Sequence, residues 1–322
     1  MKINKNIALN INSQKGIALM MVIWVLAILM VIVFSFSFMA RTETLSTLSF
    51  KNSVEKKFLA EAGIERAIME IYYRSLYKDQ TIILEGTEVW KTDGTPYKNQ
   101  LGEGYYTVSI MNESGKIDIN KASDLLLRNL FVNYGLTAEQ ADSLVDCIMD
   151  WKDRDDLYRL NGAESDYYMS LPKPYRAKDA PFETLEELIL VKGMTYDILY
   201  GNQEKKGIID FLTVYSRSNK ININAAPFEV LMAIPGMTPE IADMIIEYRK
   251  GNEIKNLSEV GISADATSLM APYISISGSN IYTINSKGTM GDEKEGYTVR
   301  ATVSISDEKL FTYLYYKSPV ET

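Results

Sequence analysis

An uncharged run near the amino terminus dominates the hydrophobic pattern. Residues 17–40 carry no charged side chain and consist mostly of Leu, Ile, Val, Met and Phe. As a helix they would extend about 36 Å at about 1.5 Å per residue, which is enough to cross the apolar core of a bilayer. The apolar region of a secretory signal is shorter, about 7–15 residues, and ends in a small-residue cleavage site. The pattern therefore predicts a transmembrane helix rather than a cleaved signal peptide.

Helical spacing of apolar positions continues beyond residue 40. The predicted apolar stripe consists of Leu45, Leu48, Phe58, Leu59, Ala62, Met69, Tyr72 and Leu76. Polar residues such as Lys51 and Glu65 lie between these positions, as on an amphipathic helix. The pattern predicts one helix from about residue 17 to residue 76, roughly 90 Å long, whose second half packs on a sheet.

Strand-like alternation of Tyr, Thr, Val and Ile occurs on both sides of a long helical region. The predicted strands are Thr81–Leu84, Tyr105–Met111, Tyr282–Ile284, Tyr297–Ile305 and Leu310–Tyr316. Turn signals are present at Asp93–Gly94 and at Gly102–Gly104. The last two strands are predicted to form a hairpin through Ser306, Asp307 and Glu308. The alternation suits an antiparallel sheet with one covered face.

The region between the strands, residues 117–270, has the pattern of several short helices and repeats itself. Residues 117–122, Ile-Asp-Ile-Asn-Lys-Ala, are echoed by residues 221–226, Ile-Asn-Ile-Asn-Ala-Ala. A Gly–apolar–Thr triplet begins at Gly135, at Gly193 and at Gly236. In each triplet Gly can end one helix in the left-handed conformation, and Thr can cap the next helix. These features predict helix–hairpin–helix units.

These patterns predict an α+β fold, in which a long amino-terminal helix packs on an antiparallel sheet that a large all-α insert interrupts. The predicted segments are a basic leader (1–16), the transmembrane part of the helix (17–40), the rest of the helix with the first strands (41–116), the insert (117–270) and the last strands (271–322).

Charge decides between two functions of the insert. Helix–hairpin–helix units often bind DNA through hairpin backbone amides, so the alternative function is a membrane-anchored DNA receptor that resembles those of competence systems. However, residues 117–270 contain 25 acidic and 16 basic residues, and they would repel phosphate. Glu139, Asp197 and Glu240 follow the triplets in first-turn positions, and the hairpins lack the second Gly of the usual turn. We therefore expect a protein-packing scaffold and no nucleic-acid partner.

The composition removes the commonest catalytic groups. The chain contains no His and one Cys, Cys147, so Ser–His pairs, Cys–His pairs and an intramolecular disulfide are excluded. Leu144, Ile148 and Trp151 lie at helical spacing around Cys147, which predicts a buried thiol rather than a reactive one. Neither a nucleophile elbow nor a P-loop is present. We expect that the protein is not an enzyme.

An acidic cluster in the insert has two interpretations. Its members are Asp150, Asp153, Asp155, Asp156, Glu164 and Asp166. Several of them follow the end of a predicted helix, where negative charge opposes the helix dipole. Lys152, Arg154 and Arg159 can neutralise them in a solvated loop. Alternatively the carboxylates can hold a hard cation such as calcium, although their spacing does not match the twelve-residue EF-hand loop.

The leader resembles a prepilin leader. Its charged residues are Lys2, Lys5 and Lys15, and it ends in Gly16 directly before Ile17. The lysines place the amino terminus in the cytoplasm. An ordinary single-pass anchor would fit the apolar run alone. The Gly16–Ile17 junction, however, is similar to the site that prepilin peptidases cut, which implies cleavage between these two residues.

The fifth position after that junction is Met21, where most pilin-like proteins have Glu. Glu in lipid is costly unless it is paired, and in pilins it is thought to neutralise the amine of the preceding subunit. A subunit with nothing above it has no such need. This departure is typical of the K subunit of type II secretion pseudopili.

The insert is also similar to that of the type II secretion K pseudopilins. The matching runs are residues 150–156, 162–164, 167–168, 171–176, 187–193 and 221–226. The resemblance implies a pilin-like domain interrupted by a SAM-like all-α insert. It also implies a minor pseudopilin that joins the I and J pseudopilins at the pseudopilus tip, where it initiates and caps assembly and supports export across the outer membrane.

The resemblance further implies a location and a cofactor. The chain is expected in the inner membrane as a single-pass protein with its bulk in the periplasm, and at the pseudopilus tip after assembly. The insert of this family binds calcium, which favours a structural calcium role for the six acids of the cluster.

Overall fold

The computed structural model describes residues 12–76, 90–202, 204–291, 295–306 and 309–320, with backbone only for 12–16. The helices are α1 (Asn12–Leu76), α2 (Asp124–Tyr134), α3 (Ala138–Lys152), α4 (Ser165–Met169), α5 (Tyr196–Tyr200), α6 (Phe228–Ala233), α7 (Pro239–Gly251) and α8 (Ala264–Met270). The strands are β1 (Asp93–Leu101), β2 (Gly104–Asn112), β3 (Ile117–Asp118), β4 (Leu212–Thr213), β5 (Ile221–Asn222), β6 (Ile274–Ser275), β7 (Ile281–Met290), β8 (Tyr297–Ile305) and β9 (Phe311–Lys317). Short 3₁₀ helices cover Glu113–Gly115, Leu185–Leu190, Ile208–Asp210 and Leu257–Val260.

The chain divides into two compact units, residues 1–56 and 57–322. The first unit is the apolar part of α1, in which every side chain from Ile17 to Phe50 is exposed. The mean hydropathy of its most apolar window is 3.2, so α1 contains a stretch that is long and apolar enough to cross a membrane. The predicted long helix is confirmed, and it begins five positions earlier, at Asn12.

The second unit is built on an antiparallel sheet with the strand order β1-β2-β7-β8-β9. The central pair β2 and β7 is in register from Gly104 opposite Met290 to Asn112 opposite Tyr282. Side chains alternate between the two faces of β2, and one face is buried along its whole length. The end of α1 covers this face. The helix contributes Ala60, Ile64, Ala67, Ile68 and Ile71 to a core that includes Val108, Ile110, Ile284, Val299, Ala301 and Val303.

The predicted apolar stripe of α1 selects the wrong face for three of its six members in this unit. Phe58, Met69 and Leu76 are 63%, 50% and 54% exposed, and only Leu59 among the predicted members is fully buried. The buried face is instead the one that contains Gly63. A Cβ at Gly63 would collide with the Ser286 hydroxyl on β7. Close approach to the sheet therefore selects the face with small residues rather than the face with the largest apolar ones.

Four of the predicted strands are present as β2, β7, β8 and β9, and β8 has the predicted bounds. Thr81–Leu84, Asp307 and Glu308 lie outside the described residues. The interpretation of Asp93–Gly94 as a turn is wrong, since both residues begin β1. This strand lies at the sheet edge and buries only Tyr97. Its pairing with β2, rather than an apolar pattern of its own, determines it.

The residues from 117 to 275 form a helical lobe between β2 and β7. The three predicted hairpin triplets are confirmed. Gly135, Gly193 and Gly236 have φ values of 107°, 87° and 84°. After each of them a Thr hydroxyl accepts a hydrogen bond from the helix that it caps: Thr137 from Gln140, Thr195 from Ile198 and Thr238 from Ile241. Local turn chemistry therefore sets the helix boundaries of this lobe.

The helical lobe leaves the sheet at one particular end. Leu59 lies against Gly104 at the start of β2, whereas Arg74 donates a hydrogen bond to the Trp90 carbonyl and lies close enough to Tyr282 to influence it electrostatically. The two connections to the lobe begin beside the Asn112–Tyr282 pair. The lobe is therefore attached at the end of the sheet that the last turns of α1 reach.

A buried asparagine joins the two connections. The Asn112 side-chain oxygen accepts from the backbone and hydroxyl of Ser114, at 3.0 and 2.6 Å, and from those of Ser279, at 3.1 and 2.8 Å. Its amide donates to the Ser279 carbonyl at 2.9 Å. Asn222, within the lobe, donates to the Ser114 hydroxyl at 3.2 Å. This network fixes the lobe to the sheet at the point where the chain passes between them.

Candidate cation site and hairpins

We define the acidic loop as residues 150–166, and the structure places its six carboxylates in different environments. Asp150 lies in the last turn of α3 and is completely buried, and Glu164, which precedes α4, is 2% exposed. Asp153 caps the end of α3 and is partly buried. The other three, Asp155, Asp156 and Asp166, are exposed. Burial therefore separates the six predicted ligands into an inner group of three and an outer group of three.

Asp150 is held by the chain that follows α3. Its Oδ2 accepts a hydrogen bond from the Arg159 backbone at 3.3 Å, and its Oδ1 lies 3.9 Å from Arg159 Nε. A Cβ at Gly162 would collide with the Asp150 carboxylate. Gly162 is thus required for close packing of the loop on this carboxylate, rather than for a left-handed turn.

Several buried oxygens of the inner group accept no hydrogen bond from the described residues. They are Asp150 Oδ1, Asp153 Oδ1 and both carboxylate oxygens of Glu164. A buried polar group without a partner costs about 1–3 kcal/mol, and more when it is charged. Three such carboxylates in one loop are the feature that most needs a compensating charge.

The pKa shifts show how strongly these groups interact. Burial, and then the charges of Asp150, Asp153, Asp156 and Asp179, raise the pKa of Glu164 from 4.5 to about 7. Burial is also the main reason why the pKa values of Asp150 and Asp153 lie above their ordinary value. Each of the three carboxylates therefore resists ionisation mainly because it is buried, and the charges of nearby acids add to this effect.

Asp179 belongs to this environment and was missed by sequence reasoning. It lies well beyond the acidic run, and its backbone N–H donates to the Trp151 carbonyl at 3.1 Å, which returns the chain to the end of α3. No spacing rule links it to the cluster, because the link is a tertiary contact.

Of the nearby cations, Arg159 pairs with Asp150 at 3.9 Å, but none pairs with Asp153 or Glu164 among the described residues. Lys152 Nζ donates to the Ile119 carbonyl at 2.8 Å, and burial lowers the pKa of Lys152 to about 8. Arg159 Nη1 forms its shortest ion pair, at 2.6 Å, with Asp124 on α2. The interpretation as a self-neutralised charged loop thus accounts for Arg159 and Asp124, but it leaves Asp153 and Glu164 without a paired cation among the described residues.

The chemistry of the donors fits a hard cation. Calcium takes six to eight oxygen ligands from carboxylates, carbonyls and water, and the unpaired atoms of the inner group are all carboxylate oxygens. Among the described residues, no three or more Asp, Glu or Cys side chains are already arranged as a metal site. The fit therefore lies in the type and burial of the donors and not in a completed coordination geometry.

A cluster of aromatic side chains packs together beside the acidic carboxylates. Tyr168 is completely buried, meets Trp151 edge to face at 5.0 Å between ring centroids and stacks on Tyr175 at 5.3 Å. Cys147 is also buried, its thiol lies 3.4 Å from the Asn161 carbonyl, and burial raises its pKa to about 11. The predicted buried thiol is confirmed.

The hairpins are poorly suited to bind phosphate. At the start of α3, the Gln140 backbone donates to Thr137 while the Gln140 side chain accepts from the Thr137 backbone, a complete capping box. At the start of α7, the Glu240 backbone N–H and the Thr238 hydroxyl lower the pKa of Glu240, so its carboxylate occupies the helix terminus. The chain's own side chains thus already use the positions where a phosphate would bind.

Comparisons with known proteins find matches to two parts of the chain. A family model for protein K of the type II secretion system matches residues 107–200, and a helix–hairpin–helix model matches residues 216–274. The type II secretion system protein K of Klebsiella pneumoniae is 26% identical over 194 residues, which cover 56% of this chain and 58% of that protein. Over these residues the chain is similar to the type II secretion protein K family.

Two further relatives define the extent of the similarity. Protein K of Pectobacterium carotovorum subsp. carotovorum is 34% identical over 73 residues, or 23% of this chain and 22% of that protein. The matches thus span at most about three fifths of these protein K relatives. A chain of the GspK–GspI–GspJ complex of enterotoxigenic Escherichia coli has the same fold, with a TM-score of 0.62, 15% identity and coverage of 87% of this chain and 100% of that chain.

Proposed function

We propose that this chain is a protein K of the type II secretion system and a minor pseudopilin of its pseudopilus. It joins the I and J pseudopilins at the tip, initiates and caps assembly, and supports protein export across the outer membrane. Its work is assembly and not catalysis.

The attachment of the helical lobe is the observation that carries this proposal. The lobe lies at the end of the sheet reached by the last turns of α1, and it contains residues 117–275. An insert of this size is comparable to a whole domain. In a fibre whose subunits stack along their long helices, such a lobe would block the position of a subunit above it.

The first half of α1 supports a membrane anchor. Its apolar stretch would cross the inner membrane, with the lysine-bearing leader in the cytoplasm and the bulk of the protein in the periplasm. Prepilin peptidase would cut between Gly16 and Ile17. On the second unit of the chain, Phe58, Met69 and Leu76 leave an apolar strip of α1 exposed, which suits contact with the helices of partner pseudopilins.

Co-purification of the full chain in detergent with the I and J pseudopilins tests the proposal. We expect a stable complex with one copy of each protein, measured by light scattering. Electron microscopy of assembled fibres with a labelled chain should detect the label at one end. Label along the whole shaft would refute the capping role. Salt-sensitive binding of labelled DNA without protein partners would favour the DNA-receptor alternative.

We also infer that the acidic loop holds calcium in a structural role. Asp150, Asp153 and Glu164 are the candidate inner ligands because their unpaired oxygens are buried. Around them lie Asp155, Asp156, Asp166 and Asp179, which can add oxygen ligands or negative charge. The bound ion would neutralise carboxylates that repel each other.

Isothermal titration of the full chain with calcium tests this inference. We expect saturable binding that is lost in Asp153→Asn, because this change removes one charged ligand and preserves the shape of the side chain. Glu103→Gln is the matched control, since Glu103 is exposed in the turn between β1 and β2. Equal calcium binding by Asp153→Asn and by the control would contradict the site.

A further inference from the structure

The helical lobe contains the same structural repeat twice. In the first repeat the Asn120 side chain forms two hydrogen bonds with the Phe182 backbone, accepting from its N–H at 2.8 Å and donating to its carbonyl at 2.9 Å. In the second repeat Asn224 bonds the Ile254 backbone in the same way, at 2.9 and 3.0 Å. Each repeat also contains a pair of short parallel strands, β3 with β4 and β5 with β6. The two repeats therefore share one scaffold.

The two repeats differ in the length of the segment between the second hairpin helix and the residue whose backbone the Asn side chain bonds. Ile254 follows the end of α7 at Gly251 by three positions, whereas Phe182 follows the end of α3 at Lys152 by 30. The additional chain returns to where it began, because Asp179 donates to the Trp151 carbonyl. The acidic loop thus lies in an additional segment of the first repeat, an excursion between α3 and Phe182. The second repeat completes the same scaffold without such a segment.

Different forces hold the two halves of this excursion. The second half is anchored by apolar burial, since Tyr168 is completely buried against Trp151. In the first half every residue from 154 to 161 is exposed. There the contacts are polar, between Arg159 or Asn161 and carboxylates on α2 and α3. Polar contacts at an exposed loop contribute little stability compared with the burial of a large aromatic side chain.

We propose that cation binding orders residues 153–164 alone and that the scaffold formed by the two repeats of the helical lobe keeps its fold without the cation. This inference rests on the proposed calcium site. Without an ion, the buried carboxylates of Asp150, Asp153 and Glu164 repel one another, and residues 154–161 bury no side chain that would resist this repulsion. With an ion, the repulsion becomes attraction to a common centre.

The functional consequence concerns the apolar residues that the loop carries. Leu157 and Leu160 are 75% and 94% exposed, although scattered exposed apolar residues elsewhere on the helical lobe are mostly less than half exposed. The ion decides whether these side chains are presented on a fixed loop or on a mobile one. The acidic loop is thus a local switch on a permanently folded lobe.

Hydrogen–deuterium exchange of the full chain in detergent, with millimolar calcium or with EGTA, tests this. We expect calcium to slow exchange about tenfold in peptides that cover residues 153–164, with no change in α2, α6 and α7. Equal slowing throughout the helical lobe would overturn the inference while the site itself stands. Slow exchange of residues 153–164 in EGTA would also overturn it. Absence of calcium binding in the parallel titration would instead refute the calcium site.

A loop replacement tests the scaffold without any ion. We would replace residues 154–161 by Gly-Gly-Ser, which keeps Asp150, Asp153, Glu164 and the Tyr168 anchor. The expected variant has an unchanged Tm in EGTA, because the scaffold does not depend on the replaced residues. Loss of cooperative unfolding in this variant would show that the loop is part of the scaffold and would overturn the inference.

Discussion

Glu164→Gln most directly tests the charge balance of the acidic loop. Burial and the neighbouring carboxylates raise the pKa of Glu164 from 4.5 to about 7, so the folded protein disfavours its ionised form. One pKa unit corresponds to about 1.4 kcal/mol. At neutral pH the ionised side chain therefore destabilises the closed, cation-free conformation of residues 153–164 by about 3 kcal/mol. The sign follows from the raised pKa: the penalty is absent below the unfolded pKa and develops as the pH rises from 4.5 to about 7.

In EGTA at about pH 8 we expect Glu164→Gln to raise the free energy of opening of residues 153–164 by about 2–3 kcal/mol, because the neutral amide removes the buried charge and its repulsion by the neighbouring acids. In saturating calcium the order should reverse, because the variant lacks a charged ligand. Hydrogen–deuterium exchange of peptides that cover residues 153–164 measures both. Near pH 4 the difference in EGTA should vanish.

Glu103→Gln provides the control, since this exposed residue lies in the turn between β1 and β2 and not in the helical lobe. It should change neither the stability in EGTA nor the response to calcium. If Glu164→Gln destabilises the protein in EGTA, the ionised carboxylate makes a favourable contact in the cation-free protein, and the reasoning from unpaired buried oxygens is wrong.

Three further substitutions test how the fold positions this loop and lobe. Gly162→Ala should lower the free energy of unfolding by about 1–3 kcal/mol, because its Cβ collides with the Asp150 carboxylate. Gly251→Ala is the control and should leave the free energy of unfolding unchanged, because its Cβ meets no atom within 4 Å. Urea titration measures both variants. Asn112→Ala should lower the free energy of unfolding by about 2–4 kcal/mol, because Ser114 and Ser279 lose their common hydrogen-bond acceptor. Limited proteolysis should then cut the chain between the sheet and the helical lobe. An unchanged digestion pattern would argue against the network. Gly63→Ala should destabilise the sheet through its collision with Ser286, and Ser286→Gly should recover most of the loss in the double variant; additive effects of the two changes would contradict direct contact.

Features that depend on local chemistry were predictable from the sequence. The apolar run of α1, the helix caps at Thr137 and Thr238 and the left-handed glycines at Gly135 and Gly236 all behave as expected. Each of these depends on residues within one or two turns of the chain, and their energies do not require knowledge of distant partners. The acidic run was visible for the same reason.

Which side chains are buried depended on tertiary contacts. Amphipathic spacing identified a helix in α1 but not its buried face, because the close approach of Gly63 to Ser286 selects that face. The edge strand β1 has no apolar alternation and forms through its pairing with β2. These choices belong to pairs of segments, and neither segment contains the information alone.

The candidate cation site shows the same division. The sequence by itself determined that six acids lie close together along the chain, and it determined the hairpins that carry them. Only the tertiary structure decided that Asp150 and Glu164 are buried, that Asp166 is exposed and that Asp179 returns to their neighbourhood. The physical reason is that desolvation and charge repulsion depend on distances in space, and the chain sets those distances only after it has closed its excursion at Trp151.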